Sequence, residues 1–312
     1  MSWNILEDVG DSISIAVVNY NTRELLRACL QSAARESTEL LVFDNASTDG
    51  SVQMVNNEFP HALLYASKSN IGFGSAGNAL IRASRAPFVL LLNSDSIVEP
   101  GALERLARYL NDQPRTGLAG PRLVNPDGSL QRSCYPFPGS LRWAADNDVI
   151  CQFQPIRGLR NWSYRTWSYD SERVVPWVKG AAMAIRKSAF EQVGGFDTSY
   201  FMYYEEADLC YRLKEAGWEV RYAPVSTIKH VGGASTDRVR TEMQIQLWTS
   251  TLRFHQLHYS PFRCRILAVV WRLIILTRWL RDRVRLITAR AKHKPRIEKD
   301  FAAWSYILRQ HL

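Results

Sequence analysis

Short apolar runs recur through the first ninety residues, each ending in a cluster of polar, turn-forming side chains, and this alternation constrains the fold most strongly. Residues 13–19 (ISIAVVN) end at Tyr20-Asn21-Thr22, residues 39–43 (ELLVF) at Asp44-Asn45-Ala46-Ser47-Thr48-Asp49-Gly50, and residues 88–92 (FVLLL) at Asn93-Ser94-Asp95-Ser96. Runs that are apolar at nearly every position read as strands buried on both faces. Helical patterns separate them: Thr22 is placed to cap a helix over 23–34, and a helix is expected over about 51–57. A strand at 62–65 follows, then a Gly-rich loop over 70–77 and a helix ending at Ser84. The β-α-β alternation predicts a doubly wound α/β sheet.

Beyond a helix at 100–110 the pattern loosens. Residues 125–170 are rich in Pro, Gly, Arg and Trp without periodicity, and read as a long insertion near the site. Regularity returns at 174–185 (VVPWVKGAAMAI), followed by helices over 187–193 and 206–216 and a strand at 218–222. From 262 to 287, Phe262, Ile266, Val269, Leu273, Leu276, Leu280, Val284 and Ile287 recur three or four apart, with Arg265, Arg272, Arg283 and Arg290 on other faces. This is a basic amphipathic helix. Its least interrupted apolar stretch, Ile266 to Leu276, falls well short of the roughly 20 residues that cross a bilayer. It can lie on a membrane surface, or pack its stripe on the rest of the chain or a second subunit. The expected division is a catalytic domain over 1–240 and a basic helical extension over 241–312.

Charge follows the same division. Residues 253–312 carry a net charge of +11, and the rest carries −2. A near-neutral body with a basic tail points to an anionic partner for the tail, membrane phospholipid or nucleic acid. No nucleic-acid-binding motif accompanies the arginines, which lie along an apolar helix, so membrane is the expected partner. Five scattered cysteines without a CxxC pair argue against a zinc site or a disulfide framework, and the acidic N-terminus argues against an export signal.

Four polar clusters fall where strands end, the edge at which open α/β sheets bind ligands. Asp44 can accept hydrogen bonds from a base or ribose, or its turn can cap the next helix. Three glycines in Asn70-Ile71-Gly72-Phe73-Gly74-Ser75-Ala76-Gly77-Asn78 permit close backbone approach, but lack dinucleotide-fold and P-loop spacing. Asp95 can supply an oxygen ligand to a hard cation at a diphosphate. Glu205, Glu206 and Asp208 open a predicted helix, where the dipole favours acids, and their aromatic neighbours can desolvate a carboxylate into a useful base.

Together these segments resemble the family 2 glycosyltransferases, inverting enzymes of the GT-A fold, and particularly their rhamnosyltransferase-like branch. The ordered series is VVNYN (17–21), FDNASTDGS (43–51), NIGFGSAGN (70–78), LLNSDS (91–96), VKGAAMAIRKSAFEQVGGFD (178–197), YFMYYEEADLCYRLKEAGW (200–218) and KHVGG (229–233), over about residues 12–233. The resemblance implies a Rossmann-like mixed sheet flanked by helices, with a C-terminal helical extension. It implies nucleotide contacts from Val18, Asn19 and Asp44, with Asn45 and Asn70 close by. Asn93 and Asp95 fall on the family's DxD motif, with an uncharged residue at the first position, so binding of Mg²⁺ or Mn²⁺ rests on Asp95, joined by His230. Glu206 matches the general base, Glu205 is its alternative, and Asp208 would orient an acceptor hydroxyl or cap the helix. Trp177, Gly180 and Ala181 would line the donor and acceptor sugars.

The implied reaction is a single displacement: a metal-bound diphosphate leaves and one carboxylate deprotonates the acceptor, with no protein nucleophile. The expected donor is dTDP-L-rhamnose and the acceptor a cell-surface glycan or lipid-linked glycan. UDP-hexose or UDP-GlcNAc transfer is the alternative, and a noncatalytic nucleotide- or glycan-binding protein is the reading from another class. The expected location is the cytoplasm, peripheral at the inner face of the plasma membrane, with no nucleic-acid partner and the oligomeric state, a homo-oligomer included, left open.

Overall fold

The computed structural model describes residues 13–36, 39–140, 164, 167–232, 240–288 and 294–309. The acidic N-terminal dozen, most of the aperiodic stretch, Cys151 and Gly233 lie outside them. The chain divides into two compact units, one over positions 1–201 and 205–234, the other over 202–204 and 235–312.

In the first unit the parallel strands β1 (Ile13–Asn19), β2 (Leu40–Asp44), β3 (Leu63–Ala66) and β4 (Phe88–Asn93) alternate with α1 (Arg23–Ala33), α2 (Ser51–Glu58) and α3 (Phe73–Ala83). Then come β5 (Ser96–Val98), α4 (Ala102–Asp112), β6 (Thr116–Val124), β7 (Leu130–Gln131), β8 (Cys134–Tyr135), β9 (Arg173–Val174), β10 (Trp177–Val178), β11 (Ala182–Arg186), α5 (Lys187–Gln192), α6 (Glu205–Glu215) and β12 (Glu219–His230). The main sheet runs β3-β2-β1-β4-β11-β6-β12-β5, with β7 and β9 attached to β6 and β12. It is mixed: β11 is antiparallel to β4 and β6, whereas β12 is parallel to β6 and antiparallel to β5. Every residue of β1 and β2 is buried, as strands covered by helices on both faces require. One core cluster contains Ile15, Leu26, Leu90 and Leu106; the other contains Leu41, Leu80, Leu91 and Phe190. The fold is the expected GT-A type.

Several local expectations change. Thr22 makes no capping bond to α1; its Oγ1 donates to Asn19 Oδ1 at 2.7 Å and lies 2.6 Å from Ser94 Oγ. Asp49 serves the helix instead, accepting Arg23 N–H at 2.8 Å. The helix α3 begins at Phe73, so Gly74 and Gly77 are helical, and they are small because Phe196 packs on them: a Cβ at either would meet its ring carbons or Cβ at 3.1 Å. Gly72 is the one loop glycine there, at φ +85°, where a Cβ would sit 2.4 Å from Phe201 O. The stretch read as continuous from 174 to 185 is broken into β9, β10 and β11 around Pro176 and Gly180. The strand expected over 218–222 continues to His230, with a register shift between Tyr222 and Thr227 at Pro224.

The second unit comprises α7 (Arg240–His258), α8 (Pro261–Thr288) and α9 (Lys294–Arg309). Leu267, Trp271 and Ile275 of α8 are buried, and Trp271 packs edge-on against Trp248 of α7 at 5.6 Å. Trp279 stacks on Phe301 of α9, and Trp304 Nε1 donates to Asp282 at 3.1 Å. Among the described residues no helix is long and apolar enough to cross a membrane.

Candidate active site

The parallel register aligns the ends of three strands: Asn19 pairs with Asp44, and Val18 with both Phe43 and Asn93. Asn19 Nδ2 donates to Asp44 Oδ2 at 2.8 Å and to Ser47 Oγ at 3.1 Å, while Ser47 N–H takes Asp44 Oδ1 at 2.8 Å. Asp44 is thus buried with both oxygens engaged, which ties the end of β2 to β1 and to the following turn. Asn45 bridges to the next loop, accepting Ile71 N–H at 2.9 Å and donating to Gly72 O at 3.1 Å. Asn70 Oδ1 accepts Gly72 N–H at 3.0 Å. These bonds link the predicted nucleotide residues Asn19, Asp44, Asn45 and Asn70 along one edge. Asn93 N–H donates to Ala181 O at 3.1 Å, tying that edge to β11.

The antiparallel register of β12 on β5 sets His230 opposite Ser96 and therefore beside Asp95. His230 Nε2 lies 3.2 Å from Asp95 Oδ1, both side chains buried, and Gly232 N–H donates to Asp95 Oδ2 at 2.9 Å. Burial pushes the Asp95 carboxyl up, but the His230 ring and the Gly232 N–H outweigh it and hold the carboxyl below its ordinary value. A carboxylate oxygen and an imidazole nitrogen facing each other form a donor set that suits a divalent cation. Among the described residues no group of three or more His, Cys, Asp or Glu is placed to hold a metal ion.

The acidic helix start follows two tyrosines with positive φ, Tyr203 at 68° and Tyr204 at 66°. Glu206 Oε1 accepts a long hydrogen bond, 3.4 Å, from Gly180 N–H. Glu205 is buried, and its Oε2 has no hydrogen-bond partner among the described residues. Burial, and then the charge of Glu206, push the Glu205 carboxyl well above its usual range. Asp208 is buried and paired with Arg212 at 2.6 Å, one turn along α6. Trp177 stacks on Tyr135 at 4.8 Å and donates Nε1–H to Pro136 O at 2.9 Å; Ala181 is buried in the turn just before β11, and Gly180 lies beside Glu206.

Two residues not foreseen from the sequence belong to this constellation. Lys179 Nζ donates to Gln131 Oε1 at 3.1 Å, and Gln131 Oε1 is also 2.6 Å from His230 Nδ1. Burial pulls the Lys179 ammonium below its ordinary value, and the carboxylates of Asp95 and Glu206 oppose this without cancelling it. A lone cation inside the apolar run WVKGAAMAI was the available signal for Lys179; Gln131 lay in the stretch without periodicity.

The pattern of the family described as Glycosyltransferase like family 2 matches residues 10–247, a span that takes in every strand end described above. The chain belongs to this family. An N-acetylglucosaminyl-diphospho-decaprenol L-rhamnosyltransferase of Mycobacterium tuberculosis is 34% identical over 243 residues, covering 73% of this chain and 78% of the relative. Rhamnosyltransferase WbbL of Escherichia coli K12 is 27% identical over 221 residues, covering 68% and 80%. Among solved structures, the mannosyltransferase PcManGT of Pyrobaculum calidifontis, in complex with GDP-Man and Mn²⁺, superposes with a TM-score of 0.53 at 16% identity, covering 96% of this chain and 87% of that one. This glycosyltransferase is therefore an inverting enzyme of the GT-A type that acts on a nucleotide-sugar donor and a glycan or lipid acceptor.

Proposed function

We propose that the enzyme transfers L-rhamnose from dTDP-L-rhamnose to a hydroxyl of a lipid-linked or cell-surface glycan, using Mg²⁺ or Mn²⁺. The observation that carries the reading is the facing pair Asp95 and His230 at the strand ends, with the Glu206 carboxylate at Gly180 in the same unit. The choice of rhamnose is supported by the two rhamnosyltransferases to which the chain is similar. Asp95 Oδ1 and His230 Nε2 would hold the cation, whose charge stabilises the departing diphosphate. Asn19, Asp44, Asn45 and Asn70 form the edge against which the nucleoside lies, with Val18 and Asn93 at its floor. Glu206 takes the proton of the acceptor hydroxyl as it attacks. Burial and the neighbouring charge of Glu206 push the Glu205 carboxyl toward its neutral form, which leaves Glu206 as the candidate base. Asp208, locked to Arg212, orients α6, and Trp177, Gly180 and Ala181 border the sugars.

The test is thermal stabilisation by dTDP, UDP and GDP with Mg²⁺, Mn²⁺ or EDTA, followed by turnover of the matching sugar nucleotides. Metal-dependent stabilisation by dTDP, and turnover of dTDP-rhamnose, is expected. Turnover of UDP-glucose, UDP-galactose or UDP-GlcNAc with none of dTDP-rhamnose would remove the rhamnose assignment.

The helix α8 supports peripheral attachment to the inner face of the plasma membrane. Phe262, Ile266, Val269, Leu273, Leu276, Leu280, Val284 and Ile287 are all exposed, with Phe262 at 73% and Ile287 at 80%. At about 100° per residue these eight lie within about 40° of one line, opposite the buried Leu267, Trp271 and Ile275. Arg265, Arg272 and Arg283 flank the stripe on one side, and Arg263 and Arg281 on the other. The only acid of the helix, Asp282, is buried against Trp304 and Arg281. Pairing two such stripes would bring arginines together without an acid between them, whereas an anionic bilayer supplies both apolar depth and negative charge.

A further inference from the structure

The hairpin sequence NPDGSLQ, residues 125–131, carries no role in the transfer reading, yet its side chains form a hydrogen-bonded chain that ends on His230. Each link has only one allowed polarity. The Asp127 carboxylate can only accept, and it takes Ser129 Oγ–H at 2.6 Å. With that proton committed, Ser129 Oγ accepts from Asn125 Nδ2 at 2.9 Å. Asn125 Oδ1 is thereby turned toward Gln131, whose Nε2 donates to it at 2.9 Å and to His230 O at 3.1 Å. This leaves Gln131 Oε1 facing Lys179 Nζ and His230 Nδ1. An ammonium can only donate, so the orientation of the Gln131 amide is imposed from both ends. An amide oxygen 2.6 Å from Nδ1 requires the proton to be on Nδ1. Nε2, the nitrogen that faces Asp95, is then the one left for a cation: the proton that Asp95 Oδ1 accepts there at 3.2 Å is the one a metal ion would displace.

We propose that Asn125, Gln131 and Lys179 are positioning residues that fix His230 in its Nδ1–H tautomer and so present Nε2, with Asp95, to a divalent cation. The inference rests on the reading of Asp95 and His230 as metal ligands. It assigns a purpose to a half-buried lysine whose hydrogen bond, among the described residues, is to a neutral amide rather than a carboxylate. Losing such an outer partner of a metal-binding histidine typically weakens metal affinity about 10–100-fold.

The experiment measures Mn²⁺ binding by the full-length wild type, Gln131→Leu and Lys179→Met, each saturated with dTDP, and dTDP binding by each in EDTA. Gln131→Leu is expected to weaken Mn²⁺ binding by about 10–100-fold, and Lys179→Met in the same direction by a smaller factor. Both should keep wild-type affinity for dTDP in EDTA. Unchanged Mn²⁺ affinity in both variants overturns the proposal, as does an equal loss of dTDP binding in EDTA, which would mark a purely structural hairpin. If Gln131→Leu does not fold, Lys179→Met decides by the same criterion, because it leaves the hairpin amides in place. A wild type that binds dTDP but no Mn²⁺ overturns the metal-ligand reading and this inference with it, an outcome distinct from failure of the variants alone. Imidazole ¹⁵N shifts of the Mg²⁺–dTDP complex give an independent readout: an Nδ1–H ring is expected for His230, and an Nε2–H ring refutes the assignment.

Discussion

Replacing Asn78 with leucine tests how the acidic helix is anchored. Asn78 is 4% exposed on α3, and its amide clasps a single distant residue, accepting Phe196 N–H at 2.8 Å and donating to Phe196 O at 2.9 Å. The clasp needs a bare neighbour: a Cβ on Gly195, at φ +82°, would lie 2.5 Å from Asn78 Oδ1. Phe196 in turn packs its ring on Gly74, Gly77 and Phe190, nine residues before Glu205. Leucine is close in volume but leaves a buried N–H and a buried C=O without partners. Each such orphan costs about 1–3 kcal/mol, so Asn78→Leu should lose about 2–6 kcal/mol. For a unit of this size that is on the order of 10 °C in melting temperature. Asn78→Asp keeps the acceptor for Phe196 N–H but sets a second oxygen against Phe196 O, and should cost at least as much. Urea titration and calorimetry of both variants provide the assay. A loss under about 0.5 kcal/mol for Asn78→Leu, the range of an ordinary surface substitution, would show that the clasp does not hold the segment.

Glu206→Gln should lower turnover by about 10²–10⁴-fold, the usual share of a general base, while dTDP binding persists; unchanged turnover removes Glu206 from the mechanism. Glu205→Gln should retain far more activity, because burial and the Glu206 charge already favour the neutral form of the side chain it replaces. A carboxyl whose folded pKa is raised binds more protons folded than unfolded, so its contribution to stability is lost as pH rises above about 4.3. Glu205→Gln should therefore flatten that fall in a pH series of melting temperatures, and an identical slope would refute the burial argument. His255 in α7 is buried with neither ring nitrogen hydrogen-bonded among the described residues, and burial, with Arg263 adding to it, lowers it to about 4. Folded chains then bind fewer protons than unfolded ones between about pH 4 and 6.5, so stability should fall by about 3 kcal/mol as pH drops through that window, and His255→Leu should abolish this part of the dependence. Leu273→Asp should detach the chain from anionic vesicles without changing its secondary structure by circular dichroism; equal binding to anionic and neutral vesicles by the wild type would exclude the charged-stripe account.

Much of the architecture follows from local physics. The runs 13–19, 39–43 and 88–92 are apolar on both faces and can be satisfied only as covered strands, so their polar ends must share one edge of a sheet. Asn19, Asp44 and Asn93 could thus be placed together from the sequence, and period and charge alone were enough to outline the 262–287 helix. Other features depend on partners far along the chain. Whether Thr22 caps α1 or binds Ser94 is decided by where β4 ends, and the glycines at 74 and 77 are explained only by the Phe196 ring. His230 meets Asp95 because β12 runs on past Pro224 and pairs antiparallel with β5, a register across 135 positions that no local pattern encodes. Sequence determined the strand ends and the acids that open α6, since periodicity and charge act over a few residues. Tertiary structure decided which of those groups touch, which face of α8 is left to solvent, and which nitrogen of His230 faces Asp95, because each depends on register, packing and hydrogen-bond polarity between distant segments.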